Sequence, residues 1–258
     1  MKRVSHKTAK SSQYNKEAES YDAFNEKHST TINQTIQKAL TQYNVKTVLD
    51  LSCGTGSQVF WLRKCGFQII GADINAKMLK IAKEKAKQEK LDLRFIKGDM
   101  RTQQVGEFDA VITIFNSVGH LTKTDFEKAL RNVHGNLKKD GFYIFDIANL
   151  NYFLTGNNIT DLTVDWLTTT DDTQFRDIQY GTITFDGILA LYTISIVQKN
   201  SENPKIAKSL KTLQIYTASQ LKELLNKNGF KVIEQSAIDG SRLVEDRTDR
   251  IFTIAQKL

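Results

Sequence analysis

The sequence predicts an α/β protein: a doubly wound, seven-stranded mixed sheet carrying an antiparallel β insert. Three observations predict it. Between residues 47 and 147, continuous apolar runs alternate with amphipathic segments, the signature of a parallel sheet covered by helices on both faces. Residues 173–216 break this alternation with a stretch rich in Thr, Ile, Tyr and Leu, and Asp186-Gly187 between two such runs signals a hairpin. The helical order resumes at Thr217, and two last strands joined by a loop read as an antiparallel pair.

The elements follow in order. Residues 1–28 are polar and weakly patterned, although Tyr14, Tyr21 and Phe24 stand out. Ile32, Ile36 and Leu40, spaced by four, predict a helix over 30–44. Residues 47–51 form a strand that ends in Ser52-Cys53-Gly54-Thr55-Gly56. The helix after it stops at Gly66. Residues 67–72 are the second strand, and Asn75 caps a helix with Met78, Ile81 and Ala82 inward. Residues 91–96, 108–115 and 141–147 are strands three to five. Between the last two, Thr124 and Glu127 suggest a capping box, with Phe126, Leu130, Val133 and Leu137 as the inner stripe. After the insert, Leu221, Leu224 and Leu225 face inward on a helix that stops at Gly229, and 230–235 and 250–255 are strands. The expected division is 1–150 for the core with its N-terminal helical segment, 151–216 for the insert, and 217–258 for the helix and strands that complete the sheet.

Composition narrows the classes. The chain has 258 residues, 40% hydrophobic and 25% charged, which is ordinary for a globular domain with a sizeable core. No apolar run approaches the roughly 18 residues of a membrane helix, and the first residues lack the apolar segment of a signal peptide. Two cysteines, Cys53 and Cys65, make neither a disulfide framework nor a zinc set, and no His/Asp/Glu group has metal-ligand spacing. A reducing cytoplasmic setting is expected. The formal charge is +7, but Lys80, Lys83, Lys87 and Lys90 read as the wet side of one helix rather than a nucleic-acid track.

The chemistry is concentrated at strand ends, where ligands bind in such sheets. Glycines at 54 and 56 let the backbone approach a ligand at a helix start. The turn lacks the third glycine of a dinucleotide fingerprint and the Lys of a P-loop. Asp73, ending the second strand, can accept two ribose hydroxyl hydrogen bonds, and Asp99, after the third, can accept one from an adenine amino group. Together they suit an adenosine.

The stretch from about Tyr14 to Asn149, with the final helix and strands, resembles the class I S-adenosylmethionine (AdoMet) dependent methyltransferases, whose core sheet is Rossmann-like. The resemblance implies AdoMet as cofactor and S-adenosylhomocysteine as product. It also implies that Cys53, Gly54 and Gly56 line the methionine part, Asp73 holds ribose, and Ile74 and Met78 pack on adenine. Asp99 and Met100 would read the adenine edge, the Phe115 carbonyl would face the methionine ammonium, and Tyr14 and Tyr21 would close over the cofactor. Ser52 stands where the family usually has its first glycine.

For the acceptor, Phe115-Asn116-Ser117-Val118-Gly119-His120-Leu121 follows strand four. It lacks the prolines of the N/D-P-P-Y/F motif, which sets aside the adenine-N6 and glutamine-N5 methyltransferases. With Phe108-Asp109-Ala110-Val111-Ile112 before it, it is similar to glycine and aminosugar N-methyltransferases, and Asp146-Ile147-Ala148-Asn149 with Tyr152 also fits the first of these. Glycine N-methyltransferases place a carboxylate-binding arginine where this chain has Ala148, so Arg176 or Arg242 would have to substitute. His120 is the candidate acceptor-orienting group or general base, with Tyr21 and Asn116 beside it; the alternative is a histidine that only holds its loop. Trp166, Arg176 and Tyr180 could shape the acceptor pocket, or the insert could be a homodimer surface. The expected function is methylation of a small molecule, at nitrogen first and oxygen next. A nucleic-acid methyltransferase and a non-catalytic AdoMet-binding module are the rivals.

Overall fold

The computed structural model describes all residues except 1–3, 16, 17, 20, 156–163, 171 and 201, and the side chains of 23–28, Val164 and Trp166 are also outside the description. Five parallel strands come first: β1 (Thr47–Asp50), β2 (Gln68–Asp73), β3 (Arg94–Lys97), β4 (Phe108–Thr113) and β5 (Leu137–Ala148). The last two strands, β10 (Phe230–Ser236) and β11 (Arg250–Lys257), are antiparallel and complete a seven-stranded sheet of order β10-β11-β5-β4-β1-β2-β3. The chain reverses its direction of growth between β1 and β4, which opens a crevice at the carboxyl ends of these two strands.

Both faces of the sheet are covered. Helices α1 (Tyr21–Gln42), α2 (Ser57–Lys64) and α3 (Ala76–Gln88) pack on one face through Ile32, Ile36, Val59, Leu62, Leu79 and Ala82 against Val48, Ile112 and Ile144. On the other, α4 (Lys123–Gly135) and α6 (Ala218–Lys227) set Phe126, Leu130, Leu221 and Leu225 against Leu49, Val111 and Phe145. Val48 and Leu49 go to opposite faces, as do Val111 and Ile112. That two-residue alternation, apolar on both sides, is why these strands read as unbroken hydrophobic runs.

The insert is a separate four-stranded antiparallel sheet, β6 (Val164–Thr169), β7 (Thr173–Ile183), β8 (Ile188–Lys199) and β9 (Lys205–Gln214). Gly187, at φ +80°, turns the β7–β8 hairpin as Asp186-Gly187 signalled. A small apolar cluster of Ala148, Leu150, Leu189 and Ile215 seats the insert on the core, and the short α5 (Leu150–Leu154) makes the transition.

Several expectations are corrected. The first helix begins at Tyr21, nine residues before the predicted start. Its early turns carry no apolar stripe, and Asp22 there bonds Thr55 Oγ1 (2.5 Å) and Lys85 (2.9 Å) on neighbouring elements. The cap of α4 is Thr122, whose hydroxyl accepts the Asp125 N–H at 3.2 Å; Thr124 lies inside the helix. Leu137 belongs to β5, which starts four residues before its predicted beginning. On α3 the buried set is Met78, Leu79, Ala82 and Ala86, with Ile81 only half-buried. β3 is shortened to Arg94–Lys97, with Leu91 and Leu93 packed on the core from a loop. β6 and α5 had no periodic signal.

Candidate active site

Beyond β1 the chain stays tied to its neighbours: Leu51 N–H donates to Ile112 O (3.0 Å), and Cys53 N–H to Ala72 O (3.0 Å). Gly54 and Gly56 then take φ +52° and +95°. A Cβ on Gly54 would meet nothing within 4 Å, so this backbone borders open space, whereas one on Gly56 would come within 2.7 Å of the Phe60 ring. Ser52 Oγ accepts the Ile114 N–H at 3.2 Å, joining the glycine turn to the chain after β4. Cys53 is buried, and burial pushes its thiol up, away from a reactive thiolate.

Asp50 lies under this turn with no solvent exposure. Its Oδ1 accepts the Ser52 N–H at 3.0 Å, while Oδ2 has no partner. Burial pushes its carboxyl up to about 8, with the Asp73 charge adding and the Ser52 N–H opposing. An orphaned, buried carboxyl oxygen at a ligand-binding strand end fits a cationic group, because an unpaired buried acceptor is costly.

Asp73 Oδ2 accepts the Gly54 N–H (2.8 Å) and Oδ1 the Asn75 N–H (2.7 Å). It is not the cap of α3: Asn75 Oδ1 accepts from Lys77 and Met78. Desolvation raises the Asp73 carboxyl, and the backbone donors oppose that shift. Ile74 is 37% exposed on the cleft wall, while Met78 is buried in the core below it. Met100 is also on the wall, its carbonyl fixed by Asn132 Nδ2 at 2.9 Å. Asp99 lines the cleft too, but Arg101 grips both its oxygens through Nε and Nη2 and bonds Asp125 through Nη1 (2.6 Å). That grip holds Asp99 below the usual carboxylate range.

The N-terminal segment crosses the cleft as a strap. Thr8 donates to Asp125 (2.6 Å), Ala9 N–H to His120 O (2.9 Å), and His6 bridges Leu121 O (3.0 Å) and Thr212 Oγ1 of the insert (2.9 Å). The pocket under it has about 630 Å³, its open mouth included, and Thr8, Tyr14, Ser52, Asp73, Asp99 and His120 are among its walls. His120 Nε2 pairs with Tyr14 Oη at 2.6 Å and Nδ1 with Gln13 Nε2 at 3.4 Å. Burial, then the charges of His6 and Lys211, push this imidazole down to about 4. Tyr21 meets Tyr14 edge-on at 5.7 Å between centroids, and burial followed by the Asp73 charge pushes its phenol up to about 12. At neutral pH the imidazole and the Tyr21 phenol are uncharged.

After β4 the chain makes a strained reversal: Phe115 and Asn116 have φ +62° and +57°. Left-handed non-glycine residues cost on the order of 1–3 kcal/mol each and need an imposed cause. The cause is Asp146 of β5, fully buried, whose Oδ1 accepts the Phe115 N–H (2.7 Å) and Oδ2 the Asn116 N–H (3.0 Å). Arg250, opening β11, neutralises it through Nε (2.9 Å) and Nη2. Asn116 Oδ1 accepts the Ala148 N–H at 3.1 Å and so belongs to the scaffold of this turn.

The structure therefore gathers Tyr14, Tyr21, Gly54, Asp73, Ile74, Asp99, Met100 and His120 at one end of the sheet, with Phe115 and Asn116 in the adjoining turn. Arg176 instead pairs with Asp165 on the exposed insert (2.6 Å), Tyr180 stacks on Tyr192 at 4.9 Å, and Arg242 is solvent-exposed. The Trp166 side chain lies outside the described residues. Sequence reasoning missed Asp50, Asp146, Arg101 and Arg250. The two acids carried a usable signal, a lone carboxylate inside an apolar strand (Val48-Leu49-Asp50-Leu51 and Ile144-Phe145-Asp146-Ile147). The arginines had none. Among the described residues no group of three or more His, Cys, Asp or Glu could hold a metal ion, and no helix is long and apolar enough to cross a membrane.

Comparison with known proteins agrees with this geometry. A family model described as a methyltransferase domain matches residues 48–141. Glycine/sarcosine N-methyltransferase of Parasynechococcus marenigrum is 34% identical over 129 residues, covering 47% of this chain and 44% of that protein. The crystal structure of an S-adenosylmethionine-dependent methyltransferase from Clostridium acetobutylicum superposes with a TM-score of 0.75 at 21% identity, covering 95% of this chain and 98% of that one. An AdoMet-bound amino pentose methyltransferase from Micromonospora echinaspora gives 0.67 at 16% identity, over 88% and 90%. Sheet order, strand-end cleft and matched domain define a methyltransferase of the Rossmann-like kind. The chain carries a methyltransferase domain on a Rossmann-like fold, the fold of the AdoMet-dependent methyltransferases on which it superposes.

Proposed function

We propose that the chain methylates a nitrogen of a small-molecule acceptor. The observation that carries this reading is the buried His120–Tyr14 pair on the cleft wall, whose imidazole burial pushes down to about 4. Bound AdoMet supplies a sulfonium methyl, already activated toward a nucleophile. What the protein must add is alignment and a route for one proton. An imidazole held at about 4 and a phenol held at about 12 are poorly matched to remove a proton from a hydroxyl at neutral pH. An amine needs no such base, since its lone pair is available once water has taken the proton. His120 and Tyr14 then orient the acceptor, and His120 is a hydrogen-bonding group rather than a proton store.

In this reading Gly54 and Gly56 give the methionine part room against Cys53, and Asp50 Oδ2 offers its ammonium a counter-charge. Asp73 holds the ribose hydroxyls, Ile74 and Met100 flank adenine, and Asp99 is available to its amino group only by sharing Arg101. Met78 supports the adenine wall from the core, Phe115 presents its carbonyl to the ammonium, and Tyr21 donates a hydrogen bond near the methyl. The unit 151–216 serves as a lid on the core units 1–150 and 217–258: β9 packs against the turn Ser117–His120, and Thr212 holds the strap through His6. The glycine/sarcosine N-methyltransferase and amino pentose methyltransferase likenesses support an amine acceptor. Lys80, Lys83, Lys87 and Lys97 border a groove on α3 and are not among the residues lining the cleft, so these four lysines give no support to a nucleic-acid acceptor.

Calorimetric titration of AdoMet and S-adenosylhomocysteine, followed by a turnover screen of small amines, small alcohols and RNA, tests the proposal. Turnover of amines supports it; turnover confined to alcohols or RNA overturns it.

A further inference from the structure

We propose that Asp146 and Arg250 are positioning residues for methyl transfer, holding the Phe115–Asn116 turn left-handed so that the Phe115 carbonyl is set toward the methionine end of the cofactor. This rests on the reading of the cleft given above, and neither residue is assigned any contact with the cofactor.

Two successive backbone N–H groups converge on one carboxylate, at 2.7 and 3.0 Å, one to each oxygen. Consecutive N–H groups of a left-handed turn form a concave anion site, and here the anion is the protein's own side chain. The carboxylate is fully buried in the middle of an apolar strand, where an unpaired charge is not tolerated. Arg250 resolves that: it comes from β11, in register opposite Ala148, and reaches two residues along β5 to Asp146. Its guanidinium also sits 5.7 Å from the centre of the Phe115 ring, so one side chain clamps the carboxylate and the aromatic residue that the carboxylate holds. Asn116 closes the set by accepting the Ala148 N–H. Both carboxylate oxygens are directed at the backbone of one turn, and the Asn116 side chain ties that turn back to β5. Core burial of an acid would not require that convergence, and two successive non-glycine residues at φ near +60° are an uncommon conformation that it holds in place.

The test compares two ligands on the full chain. S-adenosylhomocysteine carries the methionine-derived ammonium and carboxylate; 5′-methylthioadenosine keeps the adenosine and thioether but lacks both. Asp146→Asn cannot accept both N–H groups, because its amide nitrogen would face one of them. The expected result is a loss of about 10- to 100-fold in S-adenosylhomocysteine affinity, with 5′-methylthioadenosine held within about twofold. Adding Asn116→Gly to Asp146→Asn should restore part of that loss, because glycine adopts the left-handed conformation freely. Arg250→Gln, which keeps the carboxylate, is the second variant should Asp146→Asn fail to fold, and it should show the same split at about 3- to 10-fold. Equal weakening of both ligands, or unchanged affinity for both in a folded variant, overturns the proposal. A wild-type protein that binds neither ligand overturns the cofactor-cleft reading with it, and so is distinguishable from failure of the positioning role alone.

Discussion

Asp50→Asn is the substitution whose consequences can be worked furthest. The native carboxyl titrates near 8, whereas an unfolded aspartate titrates near 3.9. The raised native value means that Asp50 favours the folded state fully below about pH 4. That contribution is lost as pH rises toward 8, at about 1.4 kcal/mol per unit. At pH 7 the loss is at most about 4 kcal/mol. Asparagine is isosteric, can keep the Ser52 N–H bond and does not ionise. The ligand-free variant should therefore match the wild type near pH 4 and exceed it progressively up to pH 8, read as urea unfolding free energies at several pH values. Cofactor binding should change in the opposite sense. An ammonium beside Oδ2 lowers the Asp50 pKa, so wild-type binding at pH 7 releases a proton, while the variant loses the charge-assisted contact and about tenfold in affinity. Calorimetry in two buffers of different ionisation enthalpy reads the proton directly. A stability difference independent of pH, together with no proton release, would refute the reasoning.

The other expectations concern the walls of the same cleft. Asp73→Ala removes the acceptor of the Gly54 and Asn75 N–H groups as well as the proposed ribose ligand, and should weaken AdoMet at least tenfold by calorimetry; near-normal affinity would sink the ribose assignment. His120→Ala and Tyr14→Phe should each lower kcat on an identified amine more than they weaken AdoMet binding, and unchanged turnover would leave His120 a loop-holding residue. Gly56→Ala combines a left-handed φ with a 2.7 Å clash against Phe60, and should lower Tm more than Gly54→Ala, which meets open space and costs only about 1 kcal/mol.

The order of the core strands and helices, the cap at Asn75, the return to helix at Thr217 and the stops at Gly66 and Gly229 were legible in the chain, because each is a local property of spacing and residue type. So were Gly54, Asp73 and Asp99: in a parallel sheet, a residue just past an apolar run is at the binding edge whatever the rest of the fold does. The cap of α4 was misplaced by two residues because Thr122 and Thr124 are both good caps, and only the backbone angle at 122 decides between them. The start of α1 was missed because its first turn is held by Asp22 contacts to the glycine turn and α3 rather than by a stripe of its own.

Tertiary structure alone decided which groups meet across long separations. Arg250 reaches Asp146 over 104 residues of chain, and Tyr14 reaches His120 over 106. Arg101 joins the Asp99 carboxylate to Asp125, and the insert meets the strap through Thr212 at His6 and Lys211 over the Tyr14 ring. A periodic pattern reports which side of an element is apolar, since burial acts on every residue of that side. It carries no record of which polar side chain crosses a cleft to meet another, because one pair of residues leaves no repeat to read.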